Sequence, residues 1–150
     1  DGTSSGTNGD SKVSLFDVFN PYEPKETFSL SVGNGKAFSY SSIGTNHKLF
    51  INLSETEFAV PFTMKAYWSG KHPELVNCYI RYKVQNGTLC EVQRYDLGDK
   101  VGIILGGTYI DNTFYVVLTR TGQGVEVMSF DLETHEETGR LQTCKWDFKS

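Results

Sequence analysis

No apolar run in the sequence approaches the roughly 18 residues that a membrane-spanning helix needs, so membrane insertion is not expected. The sequence also lacks a basic excess, because its 14 Lys and Arg are scattered and are outnumbered by 18 Asp and Glu. Nucleic-acid binding requires clustered cations against phosphate, so a nucleic-acid partner is not expected either. The length of 150 residues suits one domain that folds without a metal.

Catalytic and cofactor motifs are missing as well. The chain has no nucleophile elbow, no P-loop, no H-E-x-x-H and no calcium-binding loop of the D-x-[DN]-x-[DN]-G type. Cysteine and histidine pairs at metal-binding spacing are also absent. The sequence therefore predicts no cofactor, no metal and no enzymatic activity.

What is present is typical of β structure. Ten Phe and eight Tyr accompany short apolar stretches that Gly, Asn, Asp or Pro interrupt at intervals of roughly 8–12 residues. This pattern predicts an all-β fold, a mainly antiparallel sandwich of two sheets resembling a jelly roll. Residues 1–10 have no apolar side chain and predict a flexible leader, so that a single β-sandwich domain spans 11–150.

Local signals place several strands. The turn Gly33-Asn34-Gly35 predicts a hairpin between strands at 26–32 and 36–42. Pro61 removes a backbone donor, which predicts that its strand is bulged or lies at a sheet edge. The continuous apolar run at 100–105 predicts a strand buried on both faces.

A hairpin is also predicted around Asn86-Gly87. A two-residue loop would mix polar and apolar residues on each face of the hairpin. A three-residue loop with Gly87 in the left-handed region instead places the apolar residues on one face. The second register is therefore expected, and it places Cys78 and Cys90 on one face.

The three cysteines leave at least one without a partner in the chain. In the expected register Cys78 and Cys90 lie about four residues apart along the strands, roughly 13 Å, beyond the roughly 7 Å Cα limit of a disulfide. Cys144 is predicted to face inward beside Trp146 and Phe148. A bridge from Cys144 to Cys78 or Cys90 is therefore predicted, the alternative being three buried thiols in a cytosolic protein.

Two glycosylation sequons begin at Asn52 and Asn86. Asn86 lies at a predicted hairpin tip, where a glycan would be solvated. Together with the predicted bridge, the sequons favour a secreted or cell-surface glycoprotein outside the cell.

The segment 112–117 followed by 125–134 is predicted to contain a hairpin, and it resembles the middle strands of a β-propeller blade. A complete propeller needs four or more blades of four strands, which 150 residues cannot supply. The resemblance therefore implies at most a section of a larger propeller.

The most suggestive candidate binding segment contains Tyr67, Trp68, Lys71 and His72. An exposed tryptophan beside glycine, lysine and histidine can stack on a sugar ring or anchor in a partner's pocket, although a core position at a strand end is the alternative for Trp68.

The sequence thus predicts a non-catalytic, lectin-like binding module that recognises a protein or glycan ligand through its loops. Two alternatives stay open. One is a jelly-roll enzyme acting on carbohydrate with turn carboxylates such as Asp96, Asp99 and Asp131, which otherwise cap their own turns or gather around calcium. The other is a structural piece of a larger ectodomain or propeller.

Overall fold

The structure, a computed structural model, describes residues 9–33, 37–66 and 74–143. The predicted all-β class is confirmed, and in these described residues only short 3-10 turns at Ser42–Gly44 and His47–Leu49 accompany the strands. Within the described residues, no helix has the length and apolar character to cross a bilayer. The strands are β1 (Lys12–Asp17), β2 (Lys25–Ser31), β3 (Ala37–Tyr40), β4 (Ile51–Asn52), β5 (Glu57–Ala66), β6 (Glu74–Gln85), β7 (Thr88–Asp96), β8 (Val101–Ile110), β9 (Thr113–Arg120), β10 (Gly124–Asp131) and β11 (Glu137–Gln142).

The strands form three sheets rather than the predicted two, and all pairs are antiparallel as expected. Sheet 1 is the β1–β2 hairpin. Sheet 2 has the order β3-β5-β6-β7 with β4 also on β5, and sheet 3 has the order β8-β9-β10-β11. Sheet 3 is thus a simple meander, in which each strand pairs with the next one in sequence.

Sheet 2 follows the same plan, with its first strand broken in two. Both β3 and β4 pair with one edge of β5, through Tyr40 opposite Thr63 and Ile51 opposite Ala59. The intervening residues 41–50 leave the sheet and form the two 3-10 turns. Sheets 2 and 3 are therefore equivalent meanders with four strand positions each.

Pro61 lies opposite this break. The prediction of an edge or bulged strand is wrong, since β5 lies between β3/β4 and β6 and pairs with β6 without a register shift. The carbonyl of Pro61 points toward residues 41–50, where it accepts a hydrogen bond from the Ser41 hydroxyl. The missing N–H consequently faces the gap in the neighbouring strand, where no ladder donor is needed.

The predicted hairpin across Gly33-Asn34-Gly35 is also wrong, because β2 pairs with β1 and β3 pairs with β5. Residues 9–11 occupy the edges that this hairpin would have joined. The Val32 N–H donates to the Ser11 carbonyl at 2.9 Å and the Ser39 N–H donates to the Gly9 carbonyl at 3.1 Å. Residues 9 and 10, assigned above to the leader, are therefore hydrogen-bonded to the fold, while 1–8 lie outside the described residues.

The β6–β7 connection corrects the expected register. Asn86 and Gly87 both have positive φ, 52° and 73°, and form a two-residue turn that pairs Gln85 with Thr88. Farther along, Val92 is an extra residue on β7 and the register shifts by one, so Ile80 lies opposite Arg94. The expected pairing of Ile80 with Val92 is therefore wrong. Beyond this bulge, alternate residues of β7 point to the opposite face of the sheet from the one they would otherwise occupy. The strand can therefore follow a favourable Asn-Gly turn and still bury the residues at its far end.

The prediction for the run at 100–105 is wrong as well. Its strand β8 is at the edge of sheet 3 and pairs with β9 through two register shifts. Ile103 and Leu105 are exposed. The predicted hairpin of β9 and β10 is confirmed.

Candidate functional site: an open sheet face

The predicted binding residues Tyr67, Trp68, Lys71 and His72 lie outside the described residues, as does Cys144. The two sequon asparagines are described, and both are exposed: Asn52 on β4 and Asn86 on the β6–β7 turn.

The two described thiols differ. Because the two-residue turn places Cys90 opposite Lys83, Cys78 and Cys90 lie on opposite faces of sheet 2, contrary to the expected register. Cys78 is buried and Cys90 is exposed, and no disulfide joins the two. Burial raises the pKa of the Cys78 thiol to about 12, so it is inert near neutral pH. The predicted bridge to Cys144 stays a prediction.

Two of the three predicted turn carboxylates, Asp96 and Asp131, accept hydrogen bonds from their own turns. Asp96 accepts a hydrogen bond from the Gly98 N–H at 2.8 Å. Asp131 accepts from the N–H groups of Thr134 and Glu133, and these bonds lower its pKa. Among the described carboxylates with a shifted pKa, all are lowered (Glu26, Glu57, Asp131, Glu137), which is the opposite of what a general acid needs.

Sheets 2 and 3 pack face to face over a shared aromatic core. The ring of Phe114 on β9 lies 5.2 Å from that of Tyr79 and 5.4 Å from that of Tyr95, both on sheet 2. Gly107 on β8 permits the closest approach, because an added Cβ would lie 3.4 Å from both Ile51 and Tyr79. The inner face of the central strands β9 and β10 is thereby covered, and Phe114, Val116, Leu118 and Met128 have no exposed surface.

A buried ion pair fixes one side of this interface. Arg120 on β9 donates from Nε to both carboxylate oxygens of Glu126 at 2.9 Å, and only 7% and 3% of the two residues are exposed. The same guanidinium donates to the carbonyls of Leu97 and Asp99. It therefore ties the segment that connects sheet 2 to sheet 3 against β9.

The arginine of a second ion pair, which lies within sheet 2, also reaches the segment that follows β10. Arg81 on β6 donates to Glu57 through Nε at 2.9 Å and to the Leu132 carbonyl, just beyond β10, at 2.9 Å. Burial acts to raise the pKa of Glu57, but hydrogen bonds from Arg81 and Lys83 outweigh it and hold the pKa below 4.5. The pair therefore stabilises the interface while Glu57 is ionised.

The other face of sheet 3, here called the open face, carries apolar residues at its centre that are not buried, beside polar residues such as Thr119 and Ser129. Its central row crosses three strands, with Val117 opposite Val127 and Val127 opposite Leu141. The valines are partly exposed, and Leu141 is 69% exposed. Tyr115 and Val125 extend this surface on the same face. Such a row is unusual for a sheet face in water, which normally carries polar residues.

A family model described as Beta propeller domain matches residues 1–134. The chain belongs to the beta propeller domain family. No curated protein and no solved structure matches it.

Membership in the propeller family explains the earlier resemblance. The hairpin that resembled the middle strands of a blade is β9–β10, and these are the two central strands of sheet 3. The open face itself escaped the sequence analysis. Its signal was the adjacent pair Val116-Val117, because consecutive apolar residues place one on each face of a strand.

Proposed function

We propose that the chain provides consecutive blades of a β-propeller and serves as a structural section of that architecture. Sheets 2 and 3 are two blades, and the open face of sheet 3 packs against a further four-stranded sheet. The observation that supports this is the apolar row of Val117, Val127 and Leu141 on a face that is only partly buried. Neighbouring propeller blades meet through faces of this kind.

Sheet 1 fits the same arrangement on the other side. Its hairpin contacts β7, the strand at one edge of sheet 2, and packs Val13, Leu15 and Phe28 onto the apolar cluster around Tyr82. Because sheet 1 has two strands and sheet 2 has four strand positions, sheet 1 covers only part of this face of sheet 2. A cavity of about 580 Å³ remains beside them, lined by Val32, Met64, Val76, Leu89 and Arg94 among others. Sheet 1 is thus half of a blade in this proposal.

The sandwich predicted from the sequence is the competing interpretation, since two face-to-face sheets occur in both architectures. A sandwich of sheets 2 and 3 would leave the open face in water. The row of apolar residues on that face favours the propeller, because burying it removes apolar surface from solvent.

The experiment compares the Tm of Val127→Asp with that of Val92→Asp, each introduced into the full protein isolated from its native source. The two substitutions are chemically identical, and Val92 is an exposed valine at the β7 bulge, away from the open face. If another sheet covers Val127, the aspartate is a buried unpaired charge, and Tm falls by roughly 10 °C. The control is expected to shift Tm by less than about 2 °C. Equal shifts in the two variants would contradict the proposal.

A binding role is the second candidate function. The loops of a rigid β scaffold are suited to recognition, and the observation that favours this role is a loop of sheet 1 with two almost completely exposed aromatic rings. The exposed positions of Asn52 and Asn86 support the further proposal that the module is a glycosylated, extracellular protein.

A further inference from the structure

We propose that the loop between β1 and β2 is a docking tip for a protein partner, one whose apolar cleft is bordered by Lys or Arg side chains. This inference rests on the second candidate function above, the binding role of a loop of sheet 1, and deepens it by naming the kind of partner. It places the recognition site of the module at residues that the sequence analysis did not single out.

The loop presents apolar groups to solvent to an unusual degree. Phe19 is 96% exposed and Tyr22 is 92% exposed, and Val18 beside them is also exposed. An aromatic side chain removes roughly 150–250 Å² from water when it is buried. Fully exposed aromatic residues in a cluster are a signature of interfaces, where aromatic anchors contribute a large share of binding.

The shape of the loop is set by its own hydrogen bonds. The Phe19 N–H donates to Asp17 at 2.8 Å, and the Tyr22 N–H donates to the Asn20 side chain at 3.1 Å. The Glu23 N–H donates to the Asn20 carbonyl at 3.1 Å. The backbone of the loop is consequently ordered before any partner arrives, which reduces the ordering cost of binding.

Charge selects the kind of partner. Residues 17–25 carry Asp17 and Glu23 against a single lysine, Lys25, within a chain of net charge −4. Carboxylates beside the rings oppose insertion into an anionic membrane and favour a surface with cationic side chains. A protein cleft with an apolar floor and a basic rim satisfies both the rings and the carboxylates.

The experiment places the photoreactive p-benzoylphenylalanine at position 19 in the protein within its native source, and at exposed Thr45 as a control position. The proposal expects crosslinks from position 19 alone to another polypeptide, mapped to apolar residues with Lys or Arg neighbours. Their yield should fall as salt is raised. The proposal would be overturned by crosslinks that form only within the chain or that map to polar or acidic sites. A crosslink yield at position 19 no higher than that at position 45 would also overturn it.

Competition with unlabelled protein supplies the second measurement. The wild type should suppress the crosslink, and Phe19→Ser/Tyr22→Ser should do so at least about tenfold less well. The matched control Phe38→Ser/Tyr40→Ser also removes one phenylalanine and one tyrosine, which are half-exposed on β3. This control should compete like the wild type. Circular dichroism verifies that each variant is folded. Equal competition by the loop variant would overturn the proposal.

A membrane is the remaining occupant to test. Vesicles of phosphatidylcholine and phosphatidylserine in equal amounts should not carry the protein upward in a flotation gradient. Flotation that is lost in Phe19→Ser/Tyr22→Ser would identify the loop as a lipid anchor and overturn the protein-docking assignment. Neither result bears on the open face, so the propeller proposal is judged separately by Val127→Asp.

Discussion

The two faces of sheet 3 differ far more in burial than in apolar character. Along β9, Phe114, Val116 and Leu118 are buried against sheet 2, while Tyr115 and Val117 between them are only partly buried. A strand with one solvated face normally alternates apolar and polar residues. The alternation here is in exposure, so the composition of β9 suits a strand covered on both sides.

Sheet 2 shows what such coverage looks like. On β6 the consecutive residues Cys78, Tyr79 and Ile80 are all buried. Tyr79 packs on the β9 side and Ile80 belongs to the cluster under sheet 1. The comparison shows that the centre of the open face of sheet 3 carries apolar residues, as a covered sheet does, although these residues are partly exposed to solvent.

The largest expected effect separates the two faces of β9 directly. Phe114→Ala leaves a cavity between the rings of Tyr79 and Tyr95 and should lower the free energy of unfolding by about 4 kcal/mol. Tyr115→Ala on the open face should lower it by about 1 kcal/mol. Urea unfolding followed by fluorescence measures both. If Phe114→Ala prevents folding, Phe114→Leu is measured instead, and it should still lower the free energy of unfolding by more than Tyr115→Ala does. The reverse ranking would contradict the assignment of the faces.

The next effect concerns the polar part of the same interface. Glu126→Gln leaves the Arg120 guanidinium buried without a counter-charge, which should lower the free energy of unfolding by about 3 kcal/mol. Glu137→Gln makes the same change in the exposed pair with Arg140 and should cost less than about 1 kcal/mol. Denaturant midpoints measure the two variants. Similar losses would show that the buried pair does not hold the sheets together.

The smallest expected effect depends on pH. The pKa of Glu57 is below 4.5 in the folded protein, so its ionisation stabilises the fold above pH 4.5. This contribution is lost as the pH falls through the folded pKa. Glu57→Gln should therefore remove about 1 kcal/mol at neutral pH and flatten the decline of stability in acid. The exposed control Glu55→Gln should follow the wild-type curve, and identical curves for all three proteins would contradict the role of the Arg81 pair.

Local sequence was sufficient for part of the fold. Turn residues around Gly122 bounded β9 and β10, and their alternating burial agrees with a period of two. The same hairpin carried the resemblance to a propeller blade. Its strands are neighbours in sequence, so their pairing depends on residues that lie close together along the chain.

Non-local pairing was not predictable in this way. The partner of β2 is β1, because residues 9–11 occupy the edge between Val32 and Ser39. Pro61 lies inside sheet 2, since residues 41–50 leave a gap beside it. Both outcomes depend on a distant segment that no short window of sequence contains.

The sequence by itself determined that this chain forms antiparallel β structure without a catalytic motif, since strand propensity and turn chemistry are local properties. Tertiary structure decided the register of β6 and β7, where the bulge at Val92 reverses which residues face each side. It also decided which face of sheet 3 is buried. Both faces are apolar enough for a core, and only the packing of Tyr79 and Tyr95 against Phe114 distinguishes them.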